Sequence, residues 1–148
     1  MTERLADTTR TLANRPGYLL VRTAMRVRQR YVHALAAIGL SPNQHVILST
    51  LNEHGSGPQK EVAKQTRLDP GDIVAYLDAL ETGGYIERNR DPADRRRQIV
   101  SLTATGVQVL ETADNALDAV EAETFSSLGL AEREALNVSL EALYRSLE

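Results

Sequence analysis

The spacing of apolar residues along the chain predicts six helices and one short pair of strands. From Pro16, the residues Leu20, Ala24, Val27, Tyr31, Leu35 and Ile38 recur at i, i+4, i+7, i+11, i+15 and i+18, which is one face of a long helix, and Gly39 is a natural stop. Residues 1–13 show no firm period and read as an irregular arm. Ser41-Pro42-Asn43-Gln44 opens a second helix: the serine caps, the proline suits the first helical position, and the glutamine completes a capping box. Val46, Ile47, Leu48 and Leu51 form its apolar face and Gly55 ends it. A shorter third helix is expected from Pro58 to Thr66, with Val62 and Ala63 inward. Asp69 caps a fourth, Pro70 takes its first turn, and Asp72 sits where a reciprocal cap or dipole partner belongs. Ile73, Leu77 and Leu80 face inward until Gly83-Gly84 terminates the helix.

The pattern then changes period. Tyr85-Ile86-Glu87-Arg88 reads as a short strand, Asn89 to Gln98 as a polar loop, and Ile99-Val100-Ser101-Leu102 as a β-branched second strand. Thr103 caps a long fifth helix with Leu110, Ala113, Leu117, Val120 and Thr124 on a narrow stripe suited to pairing. After Gly129, Leu136, Leu140, Leu143 and Leu147 mark a final amphipathic helix. Two short helices joined at Arg67-Leu68, then strand, loop, strand, is the order of a winged helix-turn-helix. The expected fold class is therefore mainly α with a small β-hairpin wing. The expected division is residues 1–40 as an arm and a first long helix, 41–103 as the winged unit, and 104–148 as the two C-terminal helices.

Composition narrows the chemistry. The 148 residues contain no cysteine, which excludes disulfides and thiolate metal sites. No apolar run approaches the ~20 residues that span a bilayer, and the polar N-terminus does not read as a signal peptide, so a soluble, cytoplasmic protein is expected. The formal net charge of −3 argues weakly against a nucleic-acid partner, but its distribution matters more. Between Arg88 and Arg97, five arginines face two aspartates, a local charge of +3, whereas from Glu111 onward only Arg133 and Arg145 oppose many carboxylates.

These segments together resemble the MarR family of bacterial regulators. The resemblance rests on Ser41-Pro42-Asn43-Gln44-His45-Val46-Ile47-Leu48, on Leu80-Glu81 followed by Gly84-Tyr85-Ile86 and Arg88, on Asp91-Pro92 with Asp94-Arg95-Arg96-Arg97, and on Leu102-Thr103 with Gly106. It extends from about Pro16 to Leu147. It implies a homodimer whose first, fifth and sixth helices interlock, two winged lobes on a pseudo-palindromic double-stranded DNA operator, and often a small-molecule effector pocket between the dimerisation and DNA-binding parts. A repressor without a cofactor is the expected function.

Candidate DNA-binding residues are Arg88, Arg90, Asp94, Arg95, Arg96 and Arg97 in the wing, Pro70, Gly71, Val74 and Ala75 on the fourth helix, and Lys60 and Lys64 on the third. Arginines are permanently charged and reach phosphates or a narrow minor groove. By resemblance, Asp94 and Arg96 are paired wing positions, with Arg96 the residue for minor-groove insertion; alternatively Arg95 or Arg97 inserts and Arg96 braces the loop. The fourth helix departs from the family: position 75, often arginine there, is alanine. Base reading then falls to close backbone approach at Gly71, to contact of Val74 or Ala75 with thymine methyls, or to polar groups elsewhere, which leaves the wing an unusual share of the affinity. Tyr18, Arg22 and His45 lie where the resemblance implies a pocket for an anionic aromatic ligand; each also fits an ordinary role, as core, surface ion pair or satisfied half-buried group.

Two other readings remain at this level. A winged helix can serve protein contact alone, and His33, His45 and His54 with carboxylates could ligate a metal in a metal-responsive regulator. No nucleophile-elbow or phosphate-loop motif points to an enzyme.

Overall fold

The computed structural model describes residues 10–148. Its elements are α1 (Arg10–Ala13), α2 (Pro16–Ala36), α3 (Pro42–His54), β1 (Gly57–Pro58), α4 (Gln59–Thr66), α5 (Pro70–Thr82), β2 (Ile86–Arg90), β3 (Gln98–Leu102), α6 (Ala104–Thr124) and α7 (Leu130–Ser146). The part of the expected arm that is described, Arg10–Ala13, is a helical turn; residues 1–9 lie outside the described residues.

The helix starts follow their caps. Ser41 Oγ accepts from Gln44 N at 3.2 Å and Gln44 Oε1 accepts from Ser41 N at 2.9 Å. Asp69 Oδ1 accepts from Gly71 N at 2.8 Å, whereas the Asp72 carboxylate makes no hydrogen bond among the described residues. Thr103 Oγ1 accepts from Gly106 N at 3.0 Å and donates to the Gly84 carbonyl at 2.6 Å. The second contact pins the start of α6 to the end of the α5–β2 turn. The packing there explains the glycine of the Leu102-Thr103 motif. A Cβ on Gly106 would collide with the Tyr85 carbonyl oxygen and lie 2.8 Å from Leu102 Cδ1.

The wing is a three-stranded antiparallel sheet of order β1-β3-β2, in place of the two-stranded hairpin that the sequence pattern predicts. Gly57 pairs with Val100 and Pro58 with Ile99, so α4 begins one residue later than its spacing predicts. A two-residue strand is too short to carry an alternation. β2 runs on through Asn89 and Arg90, which pair with Ile99 and Gln98 and shorten the loop to residues 91–97.

One core joins the winged unit to the long helices. Leu35 of α2, Ile47, Leu48 and Leu51 of α3, Val62 of α4, Ile73, Leu77 and Leu80 of α5, Ile86 and Val100 of the sheet, and Leu110, Ala113 and Leu117 of α6 are buried together with Leu40. The α2 stripe is covered only toward its C-terminal end, where Tyr31, and Ile38 in the turn that follows, pack on this core; Leu20 is exposed. No residue of α7 is buried, and its expected inward face, including Leu140, Leu143 and Leu147, is open. Between α4 and α5, Arg67 is the only non-glycine residue at positive φ among the described residues (φ 56°). Its guanidinium donates to Tyr144 Oη at 3.3 Å and pairs with Glu148, bringing the end of α7 to the helix-turn-helix turn.

Candidate nucleic-acid interface

The tip between β2 and β3 is shaped by its own aspartates. Asp91 Oδ1 accepts from Ala93 N at 2.9 Å and Asp94 Oδ1 accepts from Arg96 N at 3.1 Å. Two backbone bonds, Asp91 N to the Arg97 carbonyl and Arg97 N to the Asp94 carbonyl, both 2.9 Å, close the loop. Asp turns of this kind satisfy the backbone locally and limit the conformations of the chain. Asp94 thus braces the tip. Arg96 Nε lies 3.9 Å from Asp94 Oδ1, yet the Arg96 side chain is 96% exposed, so the ion pair leaves its guanidinium available. Arg90, Arg95 and Arg97 are also exposed.

The tip overhangs α4 and α5. Pro58, Lys60, Val74, Asp94, Arg96 and Arg97 are among the residues lining an open concavity of about 750 Å³ between the wing and the two helices. It unites candidates from three separate segments. Pro70 lines it as well; Lys64, exposed on α4, does not. On the outer face of α5, Gly71, Asp72, Ala75 and Asp78 are exposed and Val74 is 45% exposed. The exposed side chains of this face are aliphatic or acidic. Asn43 Nδ2 donates to Tyr76 Oη at 3.0 Å and holds the opposite side of α5 to α3.

Arg88 corrects one expectation. Its place in the charge run groups it with the basic tip, but its side chain is 14% exposed and turned onto α5. Nη2 donates to Asp78 Oδ1 at 2.5 Å and to Glu81 Oε1 at 3.1 Å, Nε donates to Glu81 Oε2 at 3.3 Å, and the Arg88 main-chain N–H reaches the same oxygen at 3.1 Å. Hydrogen bonding from Arg88 holds the Glu81 carboxyl below the usual carboxylate range. A charge-assisted, bidentate pairing satisfies the guanidinium within the protein. The charge run from 88 to 97 therefore divides into one internal cation and four outward ones. Nothing in the spacing of Asp78, Glu81 and Arg88 announces this, because it depends on how β2 folds back along α5.

Of the candidate ligand residues, Tyr18 and Arg22 lie about one turn apart on α2 and His45 lies on α3. Tyr18 is half-buried and Arg22 exposed on α2. His45 has polar partners of its own: its Nε2 lies 2.7 Å from Asp114 Oδ1 and 3.5 Å from Ser49 Oγ. No hydrogen bond among the described residues joins the three. Nor does any group of three His, Asp or Glu side chains among the described residues gather at metal-binding geometry. No helix there is long and apolar enough to cross a membrane.

A family model described as the MarR family matches residues 40–97, the span from Leu40 to the last arginine of the tip. An uncharacterised HTH-type transcriptional regulator of Bacillus subtilis, YcgE, is 44% identical over 73 residues; the match covers 49% of this chain and 47% of that one, so the chain spans about half of that relative. The transcriptional repressor CouR, solved bound to a 23-mer DNA duplex, is 32% identical with a TM-score of 0.85, covering 93% of this chain and 97% of that one. BpsR of Bordetella bronchiseptica, whose DNA binding is regulated by 6-hydroxynicotinic acid, is 27% identical with a TM-score of 0.77, covering 86% and 97%.

Proposed function

The chain belongs to the MarR family of transcriptional regulators, and on that premise we propose that it represses transcription by binding a pseudo-palindromic operator as a homodimer in the cytoplasm. It is a regulator, not an enzyme. Residues 41–103 read DNA, while residues 1–40 and 104–148 hold the dimer together.

The observation that carries this reading is the placement of Arg96. It is almost fully exposed on a loop braced by Asp94, over a concavity shared with Lys60 and Val74. A preformed cationic tip beside a helix with small exposed side chains suits a duplex: the tip takes phosphates or a minor groove while the helix enters the neighbouring major groove. Arg90, Arg95 and Arg97 add phosphate contacts, as do Lys60 and Lys64. Pro70, Gly71, Val74 and Ala75 allow close approach and apolar contact with thymine methyls. The fit is supported by CouR, which was solved on a DNA duplex. The dimer reading is supported by the open apolar faces of α2, with Leu20, Val21 and Met25, and of α7 and its C-cap, with Leu140, Leu143 and Leu147.

An anionic aromatic effector is the proposed release signal, by analogy with BpsR and 6-hydroxynicotinic acid. Arg22 offers a guanidinium for a carboxylate, with Tyr18 and His45 as further contacts. Such a ligand must discriminate between the DNA-competent and incompetent states by about 1–3 kcal/mol to regulate.

Footprinting of the region flanking the chain's own gene tests the reading. The expected result is a two-fold protected site with half-site centres about 10–10.5 bp apart or a multiple of this. Failure to protect any site there, together with failure to retain any duplex from a random library at low salt, overturns it.

A further inference from the structure

The acidic face of α5 is an unusual thing to present to DNA. Asp78 and Glu81 stand one turn apart on the helix proposed to enter the groove, and their side chains are 59% and 42% exposed. Both are taken by one guanidinium. Arg88 sits in the middle of β2, the strand that leads directly to Asn89, Arg90 and the tip, and its partner across the sheet is Val100, buried in the core. Three side-chain hydrogen bonds and one main-chain bond run from Arg88 to the two carboxylates. The root of the wing is thereby fastened to the recognition helix across a full turn of that helix.

We propose that Arg88 is a positioning residue for DNA recognition: with Asp78 and Glu81 it forms a strut that sets the angle between the recognition helix and the wing arginines. This rests on the DNA-binding reading above. Sequence-specific binding needs helix and wing to meet the major groove and the neighbouring backbone at the same time, whereas non-specific binding needs only positive charge near phosphates. The strut therefore acts on specificity. Its chemistry is particular to arginine. The planar fork offers Nε and Nη2 in fixed directions to two carboxylates, and a lysine ammonium lacks that rigid geometry. The other arginines of the segment cannot substitute, since all of them point outward. The strut also explains how a carboxylate-rich helix face is tolerated near a polyanion: the guanidinium offsets part of its charge.

The test compares Arg88→Lys, Arg88→Met and the double variant Asp78→Asn/Glu81→Gln with the wild-type chain. The probes are a duplex that the wild-type chain selects from a random 30-base-pair library (roughly the span of one dimer site) and a scrambled duplex of equal composition. Circular dichroism melts establish that each variant is folded at the assay temperature. The strut predicts that the ratio of selected to scrambled affinity falls by about tenfold in Arg88→Met and in the double variant, and by less in Arg88→Lys. The double variant is the sharpest case. It makes the chain more positive by two charges, so a purely electrostatic role predicts tighter binding to both duplexes, and the strut predicts poorer discrimination. An unchanged ratio in a folded double variant overturns the proposal. So does a wild-type ratio in Arg88→Lys combined with a salt slope in Arg88→Met lowered by about 0.9, which is the signature of a direct phosphate contact. If Arg88→Met does not fold, the other two variants decide. If the wild-type chain selects no duplex, the DNA-binding reading fails and this inference falls with it; if it selects one and only the ratios stay constant, the strut alone fails.

Discussion

His45 Nε2 lies 2.7 Å from Asp114 Oδ1, a contact that ties α3 of the winged unit to α6, the helix that leaves it. Hydrophobic packing already joins the two helices through Leu48, Leu110 and Ala113 in the common core. The polar pair adds direction to that packing by fixing the rotation of the imidazole. Asp114 is 55% exposed, so solvent screens the pair.

A double-mutant cycle on His45→Gln and Asp114→Asn should therefore give a coupling of about 0.2–1 kcal/mol. Urea melts of the four proteins measure it. A coupling indistinguishable from zero would mean that the two side chains stabilise the fold independently.

The wing makes the clearest binding prediction. Changing Arg95, Arg96 and Arg97 together to Ala should weaken binding to the selected duplex and flatten its salt dependence, by about 0.9 in log–log slope for each phosphate that is no longer neutralised. Titrations from about 50 to 200 mM salt resolve this. An unchanged slope would remove the tip from the interface. Asp94→Ala keeps all the arginines but removes the brace on Arg96 N. It should reduce affinity for the selected duplex more than for the scrambled one.

Gly106→Ala should destabilise the fold by about 1–3 kcal/mol through overpacking. The new methyl meets the Tyr85 carbonyl oxygen, and a backbone atom cannot rotate away as a side chain can. Gly17→Ala, at a helical position with nothing within 4 Å of the added methyl, is the control and should be neutral or mildly stabilising. Thermal melts of both variants compare the two sites.

Tyr31 links stability to pH. Its hydroxyl donates to Glu121 across α2 and α6, and burial, then that bond and the nearby carboxylate charge, raise its pKa above the ordinary 10.0. The folded state holds this proton more tightly than the unfolded state does. Its contribution is therefore complete below about pH 10 and is lost as pH rises toward the elevated folded value. Tyr31→Phe should cost about 1 kcal/mol near neutrality and show a shallower loss of stability above pH 10 than the wild-type chain. Parallel decay of the two proteins on the alkaline side would show that the proton is not held by folding.

Much of the architecture is legible in the order of residues alone. The serine and aspartate caps, the prolines at first helical positions and the period of the apolar residues act within a few residues of chain, so Ser41, Asp69 and Thr103 mark their helices directly. The basic tip is legible from its arginines, and the bonds that brace it are local ones, from Asp91 and Asp94 to backbone two residues on. The misreadings have the opposite character. β1 escapes the sequence pattern because its pairing with Ile99 and Val100 lies some forty residues away. Arg88 reads from its neighbours as one more outward cation, when its partners lie seven and ten residues back on another element.

What the sequence by itself determined is the six long helices, the β2–β3 hairpin, their order and the basic tip, since these follow from short-range hydrogen bonds and from periodicity. What only the tertiary structure decided is which charges meet. The fold returned Arg88 to Asp78 and Glu81 on α5 and gave His45 to Asp114. An ion pair depends on distances of a few ångströms between segments that the chain order leaves far apart, and the packing of strand on helix and helix on helix sets those distances.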